Sequence, residues 1–301
     1  MDIHSALQQL DWNRAPKGLY EPIGYALSAG GKRMRPQLAL LACRIFGGNE
    51  QEVMPAALAL EVFHNFTLLH DDVMDHAKVR RGRPCVHVRW NENTAILSGD
   101  QMLIEAYKLL AQVPKDKLSH TLELFNQMAT GICEGQQYDV DFETQEQVTL
   151  EDYMQMIRLK TAVLLGTALE IGGYIAGADE QHQHTLYEIG ITLGLAFQIE
   201  DDYLDCFGDE KTFGKAIGGD ILEGKKTYMR LMAEKLDPTF VYRKDIEWIT
   251  NQYREIGVDT VARKTIQQTT DQALDLIQKL PQNDATQQLR EMAQKLATRN
   301  L

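Results

Sequence analysis

A stretch running from about Pro55 to about Met74 sets the first limit on what this chain can fold into. Leu58, Leu60, Val62, Phe63, Phe66, Leu68 and Leu69 fall around most sides of a helix there. At about 1.5 Å per residue such a helix is roughly 30 Å long. A helix apolar on most faces has to be surrounded by others, so this segment is expected at the centre of a bundle. The remaining pattern agrees. Short β-branched runs that alternate with polar residues are nearly absent. Gly30-Gly31 closes a first helix, Pro36 opens a second that runs to about Phe46, and Gly47-Gly48 stops it. Further helices are predicted near 92–112, 117–139, 149–176 and 183–206, with a loop at Gly82-Arg83-Pro84. A polar, glycine-rich loop, GDEKTFGKAIGGD, follows the last of these, and amphipathic helices fill about 223 to 299. No repeat period or low-complexity segment interrupts the pattern. The expectation is one all-α domain over 1–301, a large helical bundle with its site in the core between facing helices.

Composition narrows the function classes. An apolar fraction of 44% in 301 residues is enough for a substantial core. A net charge of −12 argues against nucleic acid as a partner, because phosphate backbones attract basic surfaces. No apolar run is long enough to span a bilayer, and the N-terminus lacks a basic-then-apolar signal pattern. A cytoplasmic protein is expected. Cys43, Cys85, Cys133 and Cys206 form no C-x-x-C pair, so they read as reduced thiols and not as a zinc site. Cys43 and Cys133 are expected to fill the core.

Two copies of one acidic pattern carry the chemistry. Asp71-Asp72-Val73-Met74-Asp75 follows Leu68-Leu69, and Asp201-Asp202-Tyr203-Leu204-Asp205 follows Phe197 and Ile199. Residues four apart share a helix face, so Asp71 pairs with Asp75 and Asp201 with Asp205. Like charges this close repel unless a cation lies between them. Mg²⁺ suits such oxygens and takes its other ligands from water and phosphate. One copy alone reads most often as a solvated helix face. Two copies behind apolar runs, the first followed by Arg80, Arg81 and Arg83, point to a diphosphate held by both motifs. Basic clusters supply further anion-binding groups: Lys32 and Arg35 beside Gly30-Gly31, Arg80-Arg81, Lys160-Thr161, Lys215, and Lys225-Lys226. Each alone reads as well as a helix cap, a solvated loop or a snorkelling lysine. His64, two turns before Asp71, and Gln198, three residues before Asp201, are polar residues in apolar helices. They fit a satisfied core group or a site role.

In order along the chain, GGKRMRP at 30–36, HNFTLLHDDVMD at 64–75, RRG at 80–82, KT at 160–161, FQIEDDYLD at 197–205 and GK…GGDILEGKKT at 214–227 resemble the motifs of the trans-isoprenyl diphosphate synthases, or polyprenyl synthetases. The likeness covers nearly the whole chain. It implies an all-helical bundle around a deep cavity, a homodimer, and head-to-tail condensation of isopentenyl diphosphate with an allylic diphosphate to a short all-trans product. Asp71, Asp72 and Asp75 would hold Mg²⁺ on the allylic diphosphate from one side, and Asp201, with Asp202 and Asp205, from the other. Roughly three Mg²⁺ per active site are implied when diphosphate is bound. Arg80, Lys160, Lys215 and Lys225 would contact the allylic diphosphate. Lys32, Arg35, His64 and Arg81 would hold isopentenyl diphosphate, while Thr161 and Gln198 would face the reacting carbon. Product length would be set by a floor of bulky residues before Asp71. Phe66, five before it, points as the one floor residue to geranylgeranyl diphosphate; if Phe63, eight before it, also faces the cavity, farnesyl diphosphate is favoured. Cys85 stands where threonine is common in the family. The alternatives are a terpene cyclase or head-to-head prenyl synthase, a non-catalytic prenyl synthase subunit, or a structural bundle. GGKRMRP, RRG and six intact aspartates argue against them.

Overall fold

The computed structural model describes residues 2–208 and 217–297. The chain packs as two compact units. One is the chain up to Glu123 together with Glu170–Asp179, and the other is Leu124–Leu169 together with the chain from Glu180 onward. Helices account for almost all regular structure. The strands among the described residues are one antiparallel pair of two residues each.

The first unit contains α1 (Ile3–Gln8), α2 (Lys17–Leu27), α3 (Met34–Ile45), α4 (Glu50–Met74), β1 (Val79–Arg80), β2 (Arg83–Pro84), α5 (Val86–Arg89), α6 (Glu92–Leu110) and the start of α7 (Lys115–Thr144). As its all-round apolar pattern demands, α4 is the central helix, packed against α3 and α6 and buried along most of its length. It begins at Glu50, a turn before Pro55, because the Asn49 side chain caps it by accepting the Gln51 N–H at 3.0 Å. The loop expected around Gly82 is a tight hairpin. Its two central residues, Arg81 and Gly82, have φ of 51° and 72°. Positive φ at both positions matches the right-handed twist of paired strands. Glycine adopts it without strain, whereas Arg81 does so with its guanidinium bonded to the Gly30 carbonyl.

The second unit contains the rest of α7, α8 (Leu150–Ile157), a π-helical turn (Arg158–Ala162), the start of α9 (Val163–Ile175), α10 (Glu180–Phe207), α11 (Gly219–Glu223), α12 (Tyr228–Leu236), α13 (Ile246–Ile256), α14 (Val258–Ile277) and α15 (Asp284–Ala297). Ile199 and Tyr203 of α10 share a core with Met229, Ile249, Tyr253 and Ile266. The single helix expected over 149–176 is broken by the wide turn. Both flanking helices press on that turn through glycines. A Cβ on Gly135 of α7 would fall 2.3 Å from the Lys160 nitrogen, and one on Gly194 of α10 would fall 2.5 Å from the Ala162 Cα. Wide turns of this kind recur at functional sites, and this one carries Lys160 and Thr161. Cys133 departs from expectation, being exposed. The buried stripe of α7 runs through Phe125, Met128 and Ile132 at helical spacing, and Cys133 falls one residue off it.

Candidate active site

The first unit brings two distant basic motifs together. Gly30 and Gly31 adopt φ of 80° and 124°, and a side chain at Gly31 would collide with Arg81, its Cβ falling 2.9 Å from the guanidinium carbon. With the Arg81 bond to the Gly30 carbonyl, this fixes the RRG turn against the GGKRMRP segment, 51 residues away in sequence. Arg33, not singled out from the sequence, turns inward. Its guanidinium is bonded to Glu61 and to the Leu27 carbonyl, and both charged side chains are at most 5% exposed. Glu61 also accepts from the Asn65 amide at 2.9 Å. Burial brings the Arg35 guanidinium down to about 10, with Glu61 opposing and Arg81 adding to the effect. Burial also holds His64 well below the ordinary imidazole range, reinforced by the charges of Arg35, Arg81, Arg80 and Arg33. A neutral imidazole among arginines marks a site with excess positive charge, which an anion would relieve. Lys32 lies exposed on the same segment.

The aspartates at the end of α4 divide by direction. Asp75 is the C-cap and is exposed, Asp71 is partly exposed, and Asp72 is buried. Asp72 accepts the Arg80 Nε at 2.6 Å. Burial together with the Asp72 carboxylate pushes the Cys85 thiol up to about 12. Sequence spacing placed Asp71 and Asp75 on one face; the structure ties their neighbour to the arginine hairpin.

In the second unit a cavity of about 550 Å³ is lined by Lys160, Thr161, Gln198, Asp202 and Lys225, all singled out from the sequence, and by Asp139, Tyr153 and Asp220, which were not. The Thr161 hydroxyl donates to the Gln198 side-chain oxygen at 3.2 Å, and the Gln198 amide donates to Asp202 at 3.3 Å. Asp202 is buried and also accepts from the Tyr153 hydroxyl and the Tyr228 N–H. Burial and the nearby Asp220 push its carboxyl up to about 8, against the pull of those three donors. Asp205 is buried as well; its carboxylate accepts the Asp220 N–H and its carbonyl the Gly218 N–H. It therefore holds the segment entering α11, while Asp201 stays partly exposed. Lys160 is ion-paired with Asp139. Burial works against the Lys225 ammonium, but Asp220 and Glu223 outweigh it and raise its pKa. Lys215 lies outside the described residues. A signal for Asp139 was present in its place on a helix that approaches Lys160, but only the tertiary contact of Gly135 with that turn reveals it.

Among the described residues no group of three or more His, Cys, Asp or Glu side chains forms a ready metal cage. The donors present are carboxylates, contributed a few at a time by separate helix ends. That fits a hard divalent cation whose remaining ligands are water and substrate phosphate.

The polyprenyl synthetase family profile matches residues 16–239. A geranylgeranyl diphosphate synthase of Methanosarcina mazei is 40% identical over 233 residues, covering 77% of this chain and 72% of that protein. A crystal structure of a geranylgeranyl pyrophosphate synthase superposes with a TM-score of 0.92 at 42% identity, over 98% of this chain and 96% of the other. A polyprenyl synthase from Caulobacter crescentus CB15, crystallised with calcium and isoprenyl diphosphate, superposes with a TM-score of 0.87 at 28% identity, over 99% and 95% of the two chains. The chain belongs to the polyprenyl synthetase family. Among the described residues no helix is long and apolar enough to cross a membrane.

Proposed function

We propose that this chain is a Mg²⁺-dependent prenyltransferase that joins isopentenyl diphosphate head to tail to an allylic diphosphate, giving geranylgeranyl or farnesyl diphosphate. The observation that carries the reading is the docking of RRG on GGKRMRP. It makes an arginine-rich anion site that a cyclase or head-to-head synthase, which takes no isopentenyl diphosphate, has no use for. In this reading Lys32, Arg35, Arg81 and neutral His64 hold the isopentenyl diphosphate. Arg80, Lys160, Lys225 and Lys215 neutralise the allylic diphosphate, with Asp71, Asp75 and Asp201 as the main metal-binding carboxylates. When bound, Mg²⁺ supplies Lewis-acid stabilisation of the leaving diphosphate. The allylic C–O bond breaks and its electron pair leaves with the diphosphate. The isopentenyl double bond attacks the allylic carbon, and the proton lost as the new double bond forms passes to the diphosphate. Thr161 and Gln198, bonded to each other, present fixed dipoles to the reacting carbon. Lys160 and Lys225 are already held by carboxylates, so little reorganisation accompanies the charge transfer. Binding both substrates in register removes much of the entropic barrier.

The direct test is turnover with isopentenyl and dimethylallyl diphosphates and Mg²⁺, with chromatography of the products. No prenyl diphosphate product would overturn the reading. Arg35→Ala removes a charge-assisted contact worth about 1.5–3 kcal/mol. It is expected to raise the KM for isopentenyl diphosphate about tenfold or more; an effect confined to the allylic KM would mean the two sites are exchanged. A homodimer is also proposed. It is supported by the exposed apolar face of α6, where Ile96, Leu97, Ile104 and Tyr107 are 43%, 59%, 50% and 38% exposed.

Product length is proposed to depend on Phe66. Its side chain is partly exposed, whereas Phe63 is 1% exposed and belongs to the core. Phe66→Ala opens an apolar void that a growing tail can fill, and products one or more isoprene units longer are expected on the chromatogram. An unchanged distribution in Phe66→Ala, with lengthening in Phe63→Ala, would move the floor one turn away from Asp71.

A further inference from the structure

Phe63, Phe66 and His70 form a ladder of rings along one side of α4. The Phe66 ring centre lies 5.5 Å from that of Phe63 and 4.8 Å from that of His70, the latter pair meeting edge to face at 67°. His70 is in turn held from α6. Its Nε2 donates to the Ile96 carbonyl at 3.1 Å, and Asp100 lies 4.0 Å from the same nitrogen. The imidazole also fills the space that a side chain on Gly99 would take, since a Cβ there would fall 2.2 Å from Nε2. The ring is thus fixed on its far side by a backbone carbonyl and by a helix surface without a side chain. Its near side is what Phe66 rests on.

We propose that His70 is a specificity-determining positioning residue: locked into α6 at Gly99 and Ile96, it fixes the Phe66 ring and so sets where chain growth stops. The inference rests on the reading of Phe66 as the floor. An aromatic side chain rests in one of a few staggered rotamers, and which one it takes depends on what packs against it. With Phe63 immobile in the core, His70 is the ring against Phe66 that can yield. Truncating it opens space beside Gly99 into which the Phe66 ring can rotate, deepening the pocket although Phe66 itself is intact.

The test compares product ratios from dimethylallyl diphosphate and excess isopentenyl diphosphate for the full chain and its variants. A general loss of fold lowers total product without changing its length, so the ratio is the quantity read. His70→Ala is expected to raise the share of product longer by one isoprene unit at least threefold, by less than Phe66→Ala. His70→Phe restores a ring in the same space and is expected to return the ratio towards that of the parent. Gly99→Ala displaces the imidazole from the α6 side without altering α4, and is expected to change the ratio as well. It also carries the test if His70→Ala does not fold. Lengthening in Phe66→Ala with unchanged ratios in His70→Ala and Gly99→Ala would overturn this inference and leave the floor standing. An unchanged ratio in Phe66→Ala would instead remove the floor reading beneath it.

Discussion

Asp71→Ala and Asp201→Ala are each expected to lower turnover by about 10²–10³-fold or more, the scale on which removal of a charge-stabilising group acts, while the helical circular dichroism stays that of the parent. The two effects follow from where the side chains sit. Both are partly exposed at the ends of long helices anchored elsewhere by apolar packing. Neither is embedded as Asp72 and Asp202 are, the one on Arg80 and the other among Tyr153, Tyr228 and Gln198. Substitution at Asp71 or Asp201 therefore removes a carboxylate proposed to bind metal and leaves the core contacts in place. Steady-state rates with saturating substrates, alongside a thermal melt, check this. Turnover within a few-fold of the parent in either variant would remove that motif from the mechanism.

Glu61→Gln is expected to destabilise the chain by about 3–5 kcal/mol, the cost of breaking a buried ion pair from one side. Glu61 is the carboxylate against which the Arg33 guanidinium is buried, and it also takes a bond from Asn65. Glutamine keeps the volume but leaves the arginine charge deep in the first unit without a counter-ion. Arg33 sits at the start of α3 with φ of 49°, so loosening it releases the segment that carries Lys32 and Arg35. A denaturant titration measures the effect. A loss below about 1 kcal/mol, the range of an exposed pair, would show that the charge finds water.

The fold was legible wherever burial alone decides it. The all-round apolar pattern from Pro55 to Met74 made α4 central, and the glycine and proline punctuation placed the ends of α3 and α6 to within a residue or two. What escaped depends on partners distant in sequence. Nothing local to Arg33, Lys32 and Arg35 says which of three neighbouring cations is ion-paired in the core; Glu61 decides it. The wide turn at Arg158–Ala162 reads as ordinary helix because the glycines packed against it, Gly135 and Gly194, lie on other helices. The site was legible in its residue types and helical spacing, since Thr161, Gln198 and Asp202 do meet. Asp139 and Tyr153 were not, because each enters the cavity from an element that carries no motif, and Asp220 lies within GGDILEGKKT, where only the lysines were read for a role.

The division of labour inside each aspartate pair bears on how this fold can diverge. If the proposed roles hold, a descendant that gives up catalysis is released from keeping Asp71, Asp75 and Asp201, but Asp72 and Asp202 still answer to the hairpin arginine and to the tyrosine-lined pocket. Drift would thus erode each motif unevenly, first aspartate before second. A chain that retains only the inner aspartates would be a scaffold that once did chemistry, distinguishable by that pattern alone from one still under selection for turnover.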